Sequence, residues 1–299
     1  MLSQVFMNPT NDMVFKRLFG SNDHVSLLIS LLSALTGRKI EEIIFLGNET
    51  VPGNKQLKAG KAIIDVYCRD EDQNKFIVEI QNDAEENLLQ RFMLYFSRAY
   101  YGQLNPKKKL KGLYPVIVVA ITHRIPDLDQ RVGEYFSHHC LLNTTTHTHD
   151  IKDIEFVLVE LSKFEKKETE LENDTERWFY FFKNIKNAKK IPASLQHGEF
   201  KKACDLLQHM RLSDAEQMAY EFSEIKAMSM EDNAEKLAAG DIKRAEAKGK
   251  AEGKAEGKAE AEAKALQEKL AMAKVMLKKM SPTEVAEVTG LPANEIKKL

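Results

Sequence analysis

The amino-acid sequence predicts an α/β domain followed by an α-helical C-terminal region. Over residues 1–165, short apolar runs of strand length alternate with amphipathic stretches of helical period. Beyond them the apolar residues recur mostly at helical spacing, and from residue 241 a repeat of Ala, Glu, Gly and Lys begins. These changes divide the chain into an α/β domain, a helical region, a charged repeat and a short helical hairpin: residues 1–165, 166–240, 241–280 and 281–299.

Composition and charge exclude several classes of protein. The 299 residues include 43% hydrophobic residues, which excludes wholesale disorder. With 44 Lys+Arg against 45 Asp+Glu, the chain is not a uniformly basic nucleic-acid binder. No apolar run approaches the roughly 18 residues of a membrane span, and the N-terminus lacks a signal-peptide pattern. Three widely spaced cysteines favour a reducing, cytoplasmic location.

Two helices are predicted at the start of the α/β domain. Residues 8–12 are rich in helix-capping types and precede apolar residues at positions 14, 15, 18 and 19, which form a helical stripe. The second helix runs through Val25–Leu32, and Gly37 is suited to cap its end.

The strands begin with a buried run at Ile43–Leu46 and continue as a hairpin. Lys61–Arg69 and Lys75–Gln81 alternate between apolar and polar residues, and the turn-rich residues 70–74 separate them. The remaining elements are one amphipathic helix and two buried strands: about Asn87–Leu104, Val116–Ile121 and Ile154–Val159.

The hairpin carries the most informative polar residues. With residues 70–74 as its loop, Asp65 lies directly opposite Glu79, with Cβ atoms about 4.5–5.5 Å apart. Gln81 projects from the same face as Glu79. Two facing carboxylates repel each other unless a cation lies between them, and Mg²⁺ binds one or two carboxylates together with phosphate and water oxygens. The pattern is compatible with a metal site, but an acidic, solvent-exposed hairpin explains the same residues.

Four stretches form a recognisable order of elements: Asn11–Gly20, Ile63–Val66, Ile77–Gln81 and Gln90–Tyr100. This order resembles the recombination-promoting nuclease family, also described as transposases, of the PD-(D/E)XK nuclease superfamily. The resemblance covers about residues 5–160 well and the later regions only loosely. It implies a restriction-endonuclease-like core, in which helices flank a mixed central sheet.

The resemblance implies a DNA endonuclease that uses Mg²⁺, with Mn²⁺ as a possible substitute, in recombination, mobile-element biology or defence. Asp65 and Glu79 would hold the metal, and Asp12 would bind it through water or position a neighbour. Gln81 would orient the attacking water where the superfamily usually has a lysine. Ile64 replaces the proline of the motif name, which is harmless. Glutamine carries no positive charge, so the metal would bear more of the task of activating water.

The resemblance and the charge pattern also suggest contacts to DNA. Arg91 matches a family position and would contact phosphate or brace the acidic site, whereas a surface salt bridge is the alternative. Lys107, Lys108 and Lys109 follow the long helix and are suited to track a phosphate backbone, although a solvated loop cluster explains them equally.

The C-terminal third suggests self-association. In the tetrapeptide repeat, Lys and Glu form separate rows along a helix, and a partner helix would pair these rows; a solvated linker is the alternative. Residues 281–299 resemble a helix-turn-helix, but the second helix is short, which favours packing or dimerisation. A homo-oligomer is therefore expected. Two other readings stay open: a non-catalytic DNA-binding scaffold with the nuclease fold, and a toxin-like nuclease restrained by a partner on the tail.

Overall fold

The computed structural model describes residues 5–46, 64–82, 87–104, 112–128, 131, 133–227, 250, 264, 267, 269–278 and 280–296. They belong to two compact units, residues 1–230 and residues 231–299. The helices of the first unit are α1 (Asp12–Phe19), α2 (Val25–Thr36), α3 (Leu88–Tyr101), α4 (Asp174–Asn184), α5 (Gly198–His209) and α6 (residues 214–227). Its strands are β1 (Ile43–Phe45), β2 (Val66–Asp70), β3 (Lys75–Gln81), β4 (Val116–Thr122), β5 (Phe136–Leu141) and β6 (Ile151–Glu160).

The six strands form one mixed sheet in the order β1-β2-β3-β4-β6-β5. β1, β2 and β3 are antiparallel neighbours, β3, β4 and β6 run parallel, and β5 lies antiparallel to β6 at the edge. Every residue of the central strand β4 is buried, as expected when helices cover both faces of a parallel region. The predicted α/β class with a mixed central sheet is confirmed.

Side chains alternate between the two faces of the sheet and so belong to two cores. On β3, Phe76, Val78 and Ile80 pack into the larger core with α1, α2, α4 and α5, whereas Ile77 packs into the smaller core beneath α3. Glu79 and Gln81 follow Ile77 in the alternation, so they project toward the α3 side.

The helical region after residue 165 completes the larger core. Trp178, Phe179, Phe181 and Phe182 on α4 are 0–1% exposed and pack with the aromatic residues of α1. The Phe182 ring centroid lies 5.7 Å from that of Phe19 and 6.1 Å from that of Phe15. The aromatic cluster of α4 is therefore core, as the sequence pattern predicts, and it is shared with the α/β layer.

Most local predictions hold with small shifts of boundary, but the first hairpin strand, predicted over Lys61–Arg69, is observed as Val66–Asp70, and residues 61–63 lie outside the described residues. Helix α1 begins at Asp12 because the Asn11 side chain accepts hydrogen bonds from the backbone N–H groups of Met13 and Val14. Helix α2 ends at Gly37, whose φ of +67° is the left-handed conformation that glycine favours. Strand β5 was not predicted, because its polar residues and exposed edge position weaken the strand pattern.

The second unit contains a small helical cluster. Pro282–Thr289 starts with a capping box between Ser281 and Glu284, and Ala293–Ile296 follows the turn at Gly290. Apolar side chains of this pair pack against residues 270–280, with Ala273 and Val285 fully buried. The predicted C-terminal helical hairpin is therefore present. The charged repeat falls mostly outside the described residues.

Among the described residues, no single helix is long and apolar enough to cross a membrane. The bent pair Asp12–Phe19 and Asn22–Thr36 meets the length and composition criteria only when both parts are taken together.

Candidate active site

The acidic residues predicted on the hairpin meet where β2 begins and β3 ends. The β2–β3 register pairs Val66 with Val78 and Arg69 with Lys75, as the sequence predicts. Asp65 precedes Val66 and therefore lies beside Glu79. The backbone N–H of Asp65 donates to Glu79 Oε1 at 3.3 Å, and the backbone N–H of Ile80 donates to Asp65 Oδ2 at 2.8 Å. The two carboxyl groups form one local cluster.

Burial makes ionisation of this pair unfavourable. The Asp65 side chain is 7% exposed and Glu79 is 4% exposed. Burial and a hydrogen bond with Asp12 raise the pKa of Asp65 to about 7, although the Ile80 N–H and Lys16 oppose this. Burial, together with repulsion from Asp65, raises the pKa of Glu79 to about 8. A cation between the two carboxylates would relieve both effects.

Helix α1 brings two further charged groups to the pair. Its apolar face, formed by Val14, Phe15, Leu18 and Phe19, is buried, and Asp12 and Lys16 lie one turn apart outside that face. Lys16 Nζ lies 2.6 Å from Asp12 Oδ1 and 3.0 Å from Asp65 Oδ1. The Asp12 side chain is 63% exposed, so Asp12 lies at the outer rim of the cluster.

The pKa values of these two groups follow from the same contacts. Burial lowers the pKa of Lys16, but its bonds to Asp12 and Asp65 outweigh burial and raise it. Burial raises the pKa of Asp12, but hydrogen bonds with Asp65 and Lys16 outweigh this and lower it. Lys16 was not among the predicted site residues. The i, i+4 spacing of Asp12 and Lys16 within the recognised stretch is the signal that was available.

The loop before α1 is attached to both the sheet and α6. Asn82 Nδ2, just after β3, donates to the Thr10 carbonyl at 2.7 Å. Asn11 Nδ2 donates to Ser223 Oγ at 2.6 Å, and the backbone N–H of Asn8 donates to the Tyr220 hydroxyl at 3.0 Å. These contacts hold the first turn of α1, and with it Asp12, close to the end of β3.

Arg91 on α3 lies against the third predicted residue of the hairpin. Its Nη2 donates to Gln81 Oε1 at 2.9 Å, and its guanidinium carbon is 5.9 Å from the centroid of the Tyr95 ring. The buried residues Leu88, Phe92, Tyr95 and Ala99 fix α3 on the sheet and so place Arg91 near the end of β3. Arg91 therefore contacts Gln81 at the end of β3, beside the acidic residues. Lys107, Lys108 and Lys109 lie outside the described residues.

Comparison with protein families decides the identity of the fold. A family model described as "PD-(D/E)XK nuclease family transposase" matches residues 9–239. The chain belongs to this family. Neither the comparison with curated proteins nor the comparison with solved structures finds a match.

Membership of the PD-(D/E)XK transposase family confirms the resemblance seen in the sequence and extends it. The matched residues run well past residue 160, where the resemblance was expected to weaken, and include α4, α5 and α6. This extent agrees with the shared core, because α4 packs directly on α1. In this family member the helical region is part of the nuclease-like unit.

The donor set of this PD-(D/E)XK family member fits a small, hard cation. Among the described residues, no group of three or more His, Cys, Asp and Glu side chains is arranged to hold a metal ion. The site offers the carboxylate pair Asp65 and Glu79, with the Gln81 side chain on the same strand. One or two carboxylates suffice for Mg²⁺, which keeps several waters and uses substrate phosphate oxygens for the rest of its shell.

Proposed function

We propose that the protein is a metal-dependent DNA endonuclease that hydrolyses phosphodiester bonds. The observation that carries the proposal is the buried Asp65–Glu79 pair, with Gln81 two residues beyond Glu79, at the β2–β3 hairpin of a PD-(D/E)XK family chain. Mg²⁺ is the proposed cofactor and Mn²⁺ its substitute. The biological setting is DNA recombination, mobile elements or defence.

Each site residue has a separate role in this proposal. Asp65 and Glu79 hold the metal, which when bound polarises the phosphate and lowers the pKa of its water. Gln81 orients the water for in-line attack, and Arg91 fixes the Gln81 side chain through the bond to Oε1. Asp12 positions its neighbour in the cluster.

DNA contacts form the second part of the proposal. Arg91 and the basic residues Lys107, Lys108 and Lys109 contribute positive charge toward the phosphate backbone, whose recognition depends on such charges. The chain as a whole carries a formal net charge of −1, so binding relies on local basic patches rather than on overall charge.

The test is cleavage of supercoiled plasmid DNA with Mg²⁺. Asp65→Asn and Glu79→Gln remove one charge each with little change of shape, and both are expected to abolish nicking that the wild type performs. Asp72→Asn is the matched control, because Asp72 is an exposed carboxylate in the turn of the same hairpin. Loss of nicking in all three variants, or in none, would contradict the assignment of the site.

One observation favours a second candidate, a non-catalytic DNA-binding or oligomeric scaffold. Met218, Phe222 and Ile225 on α6 are 73%, 72% and 66% exposed and lie at i, i+4 and i+7, on one helical face. Such a stripe is suited to a protein partner. A wild type that binds DNA but does not cut it with Mg²⁺ or Mn²⁺ would favour the scaffold.

Assembly and location complete the proposal. We infer a homo-oligomer that forms through the helical C-terminal region. Light scattering of a chain that ends at residue 240 tests this. The shortened chain is expected to form particles that contain fewer copies of the chain than the full-length protein does. A cytoplasmic location is supported by three free cysteines, of which Cys68 and Cys204 are buried thiols.

A further inference from the structure

The ammonium group of Lys16 occupies a special place in the acidic cluster. It contacts a carboxylate of its own helix, Asp12, and a carboxylate of the hairpin, Asp65, which is 49 positions further along the chain. The Asp65 side chain is 7% exposed and the Lys16 side chain is 31% exposed. One end of the interaction is therefore buried, while the lysine itself borders solvent.

A surface ion pair on α5 looks different. Lys201 and Asp205 on α5 have the same i, i+4 spacing as Asp12 and Lys16 and a Nζ–Oδ2 distance of 2.5 Å. Both of those side chains are exposed, at 53% and 41%, and no third carboxylate joins them in the described contacts. Lys16 instead links two elements at the position where the hairpin acids meet.

Position 81 lacks the positive charge that the superfamily usually has there. Gln81 is neutral, and its Oε1 accepts a hydrogen bond from Arg91. Among the described residues, the salt bridge to Asp65 comes from Lys16, which approaches from helix α1 rather than from β3. At least one cation of this acidic cluster is thus supplied from helix α1, another element of the fold.

We propose that Lys16 is a catalytic residue that contacts the scissile phosphate and replaces the charge absent at position 81. This inference rests on the proposed nuclease function. An ammonium group has three N–H donors, of which Asp12 and Asp65 take two. The third donor, on the solvent-bordering side, binds a non-bridging phosphate oxygen. Asp12 is the positioning residue that holds the ammonium there.

Lys16 acts in the chemical step without transferring a proton. The oxygen of the attacking water forms a bond to phosphorus, and the bond from phosphorus to the leaving sugar oxygen breaks. The proton of the water passes to solvent, and the leaving oxygen takes a proton from solvent. Negative charge grows on the non-bridging oxygens during this exchange, and the fixed ammonium stabilises it.

The test compares Lys16→Met with Lys16→Arg and with the control Lys201→Met. Single-turnover cleavage by Lys16→Met is expected to be about 100-fold slower, the scale of losing one charge-stabilising donor. Lys16→Arg keeps a positive charge and is expected to recover part of the rate, while Lys201→Met cleaves like the wild type. Affinity for Mn²⁺ in the absence of DNA is the second readout. It is expected to stay equal or to increase in Lys16→Met, because a positive charge beside Asp65 is removed.

Two results would overturn the role of Lys16: an unchanged cleavage rate in Lys16→Met, or a parallel loss of Mn²⁺ affinity, which would show that Lys16 only supports Asp65. A wild type that does not cleave would instead refute the proposed function. The phosphate contact is then judged by binding of a short DNA duplex in Ca²⁺. Weaker binding by Lys16→Met than by Lys201→Met supports the contact, and equal binding refutes it.

Discussion

Replacing Glu79 with glutamine is expected to stabilise the metal-free protein, increasingly so as the pH rises. Glu79 is 4% exposed on β3, and burial and Asp65 raise its pKa to about 8 from an ordinary value of 4.5. Glutamine has the same shape, and its Oε1 can still accept the Asp65 N–H bond. The substitution therefore removes the titrating group while it preserves the packing.

The magnitude follows from proton linkage. A group with a raised pKa in the folded state contributes stability below its unfolded pKa and loses it as the pH rises toward the folded value. Between about pH 5 and 7, Glu79 is largely ionised in the unfolded chain and protonated in the folded one. The free energy of unfolding of the wild type then falls by about 1.4 kcal/mol per pH unit relative to the variant, or roughly 3 kcal/mol over this range.

Urea unfolding in EDTA measures this difference. Trp178 is the one tryptophan of the chain and is fully buried in the larger core, so its fluorescence reports the unfolding of the first unit. Asp72→Asn, in the exposed turn of the hairpin, is expected to track the wild type at every pH. A constant gap between the wild type and Glu79→Gln from pH 5 to 7 would refute the reasoning, because the burial of Glu79 would then not resist its ionisation.

Three further results are expected. Mg²⁺ should raise the unfolding temperature of the wild type more at pH 8 than at pH 5, because protons compete for the carboxylates at pH 5. The increase caused by Mg²⁺ should be smaller in Glu79→Gln than in the wild type, and differential scanning fluorimetry measures both increases. Arg91→Met removes the bond that holds Gln81 and should slow single-turnover cleavage about tenfold or more through misorientation, with folding intact by circular dichroism. Phe182→Ala opens a cavity beside Phe15 and Phe19 and should cost about 3–5 kcal/mol of stability in urea unfolding, which would show that α4 belongs to the nuclease-like fold.

The part of the site that the sequence predicts is the part that depends on local geometry. A hairpin with alternating strands and a short turn has few possible registers, so the pairing of Asp65 with Glu79 follows from counting residues. The contact of Lys16 with Asp65 depends on the position of α1 relative to the sheet. Residues far along the chain, such as Phe182 on α4, which packs on Phe19 of α1, contribute to that position. No local pattern contains that information, and an i, i+4 pair alone is common on helix surfaces.

Because the ammonium group beside Asp65 comes from Lys16 on α1 and not from position 81, a prediction follows for Gln81 itself. Gln81→Lys restores the residue type that the superfamily usually has, yet it would place a second ammonium close to the guanidinium of Arg91, which lies 2.9 Å from Gln81 Oε1. Like charges at such a distance repel, and Lys16 already supplies charge to the acidic cluster. We therefore expect Gln81→Lys to cleave more slowly than the wild type in single turnover. Faster cleavage, particularly cleavage that no longer depends on Lys16, would show that position 81 is still where this fold uses a positive charge.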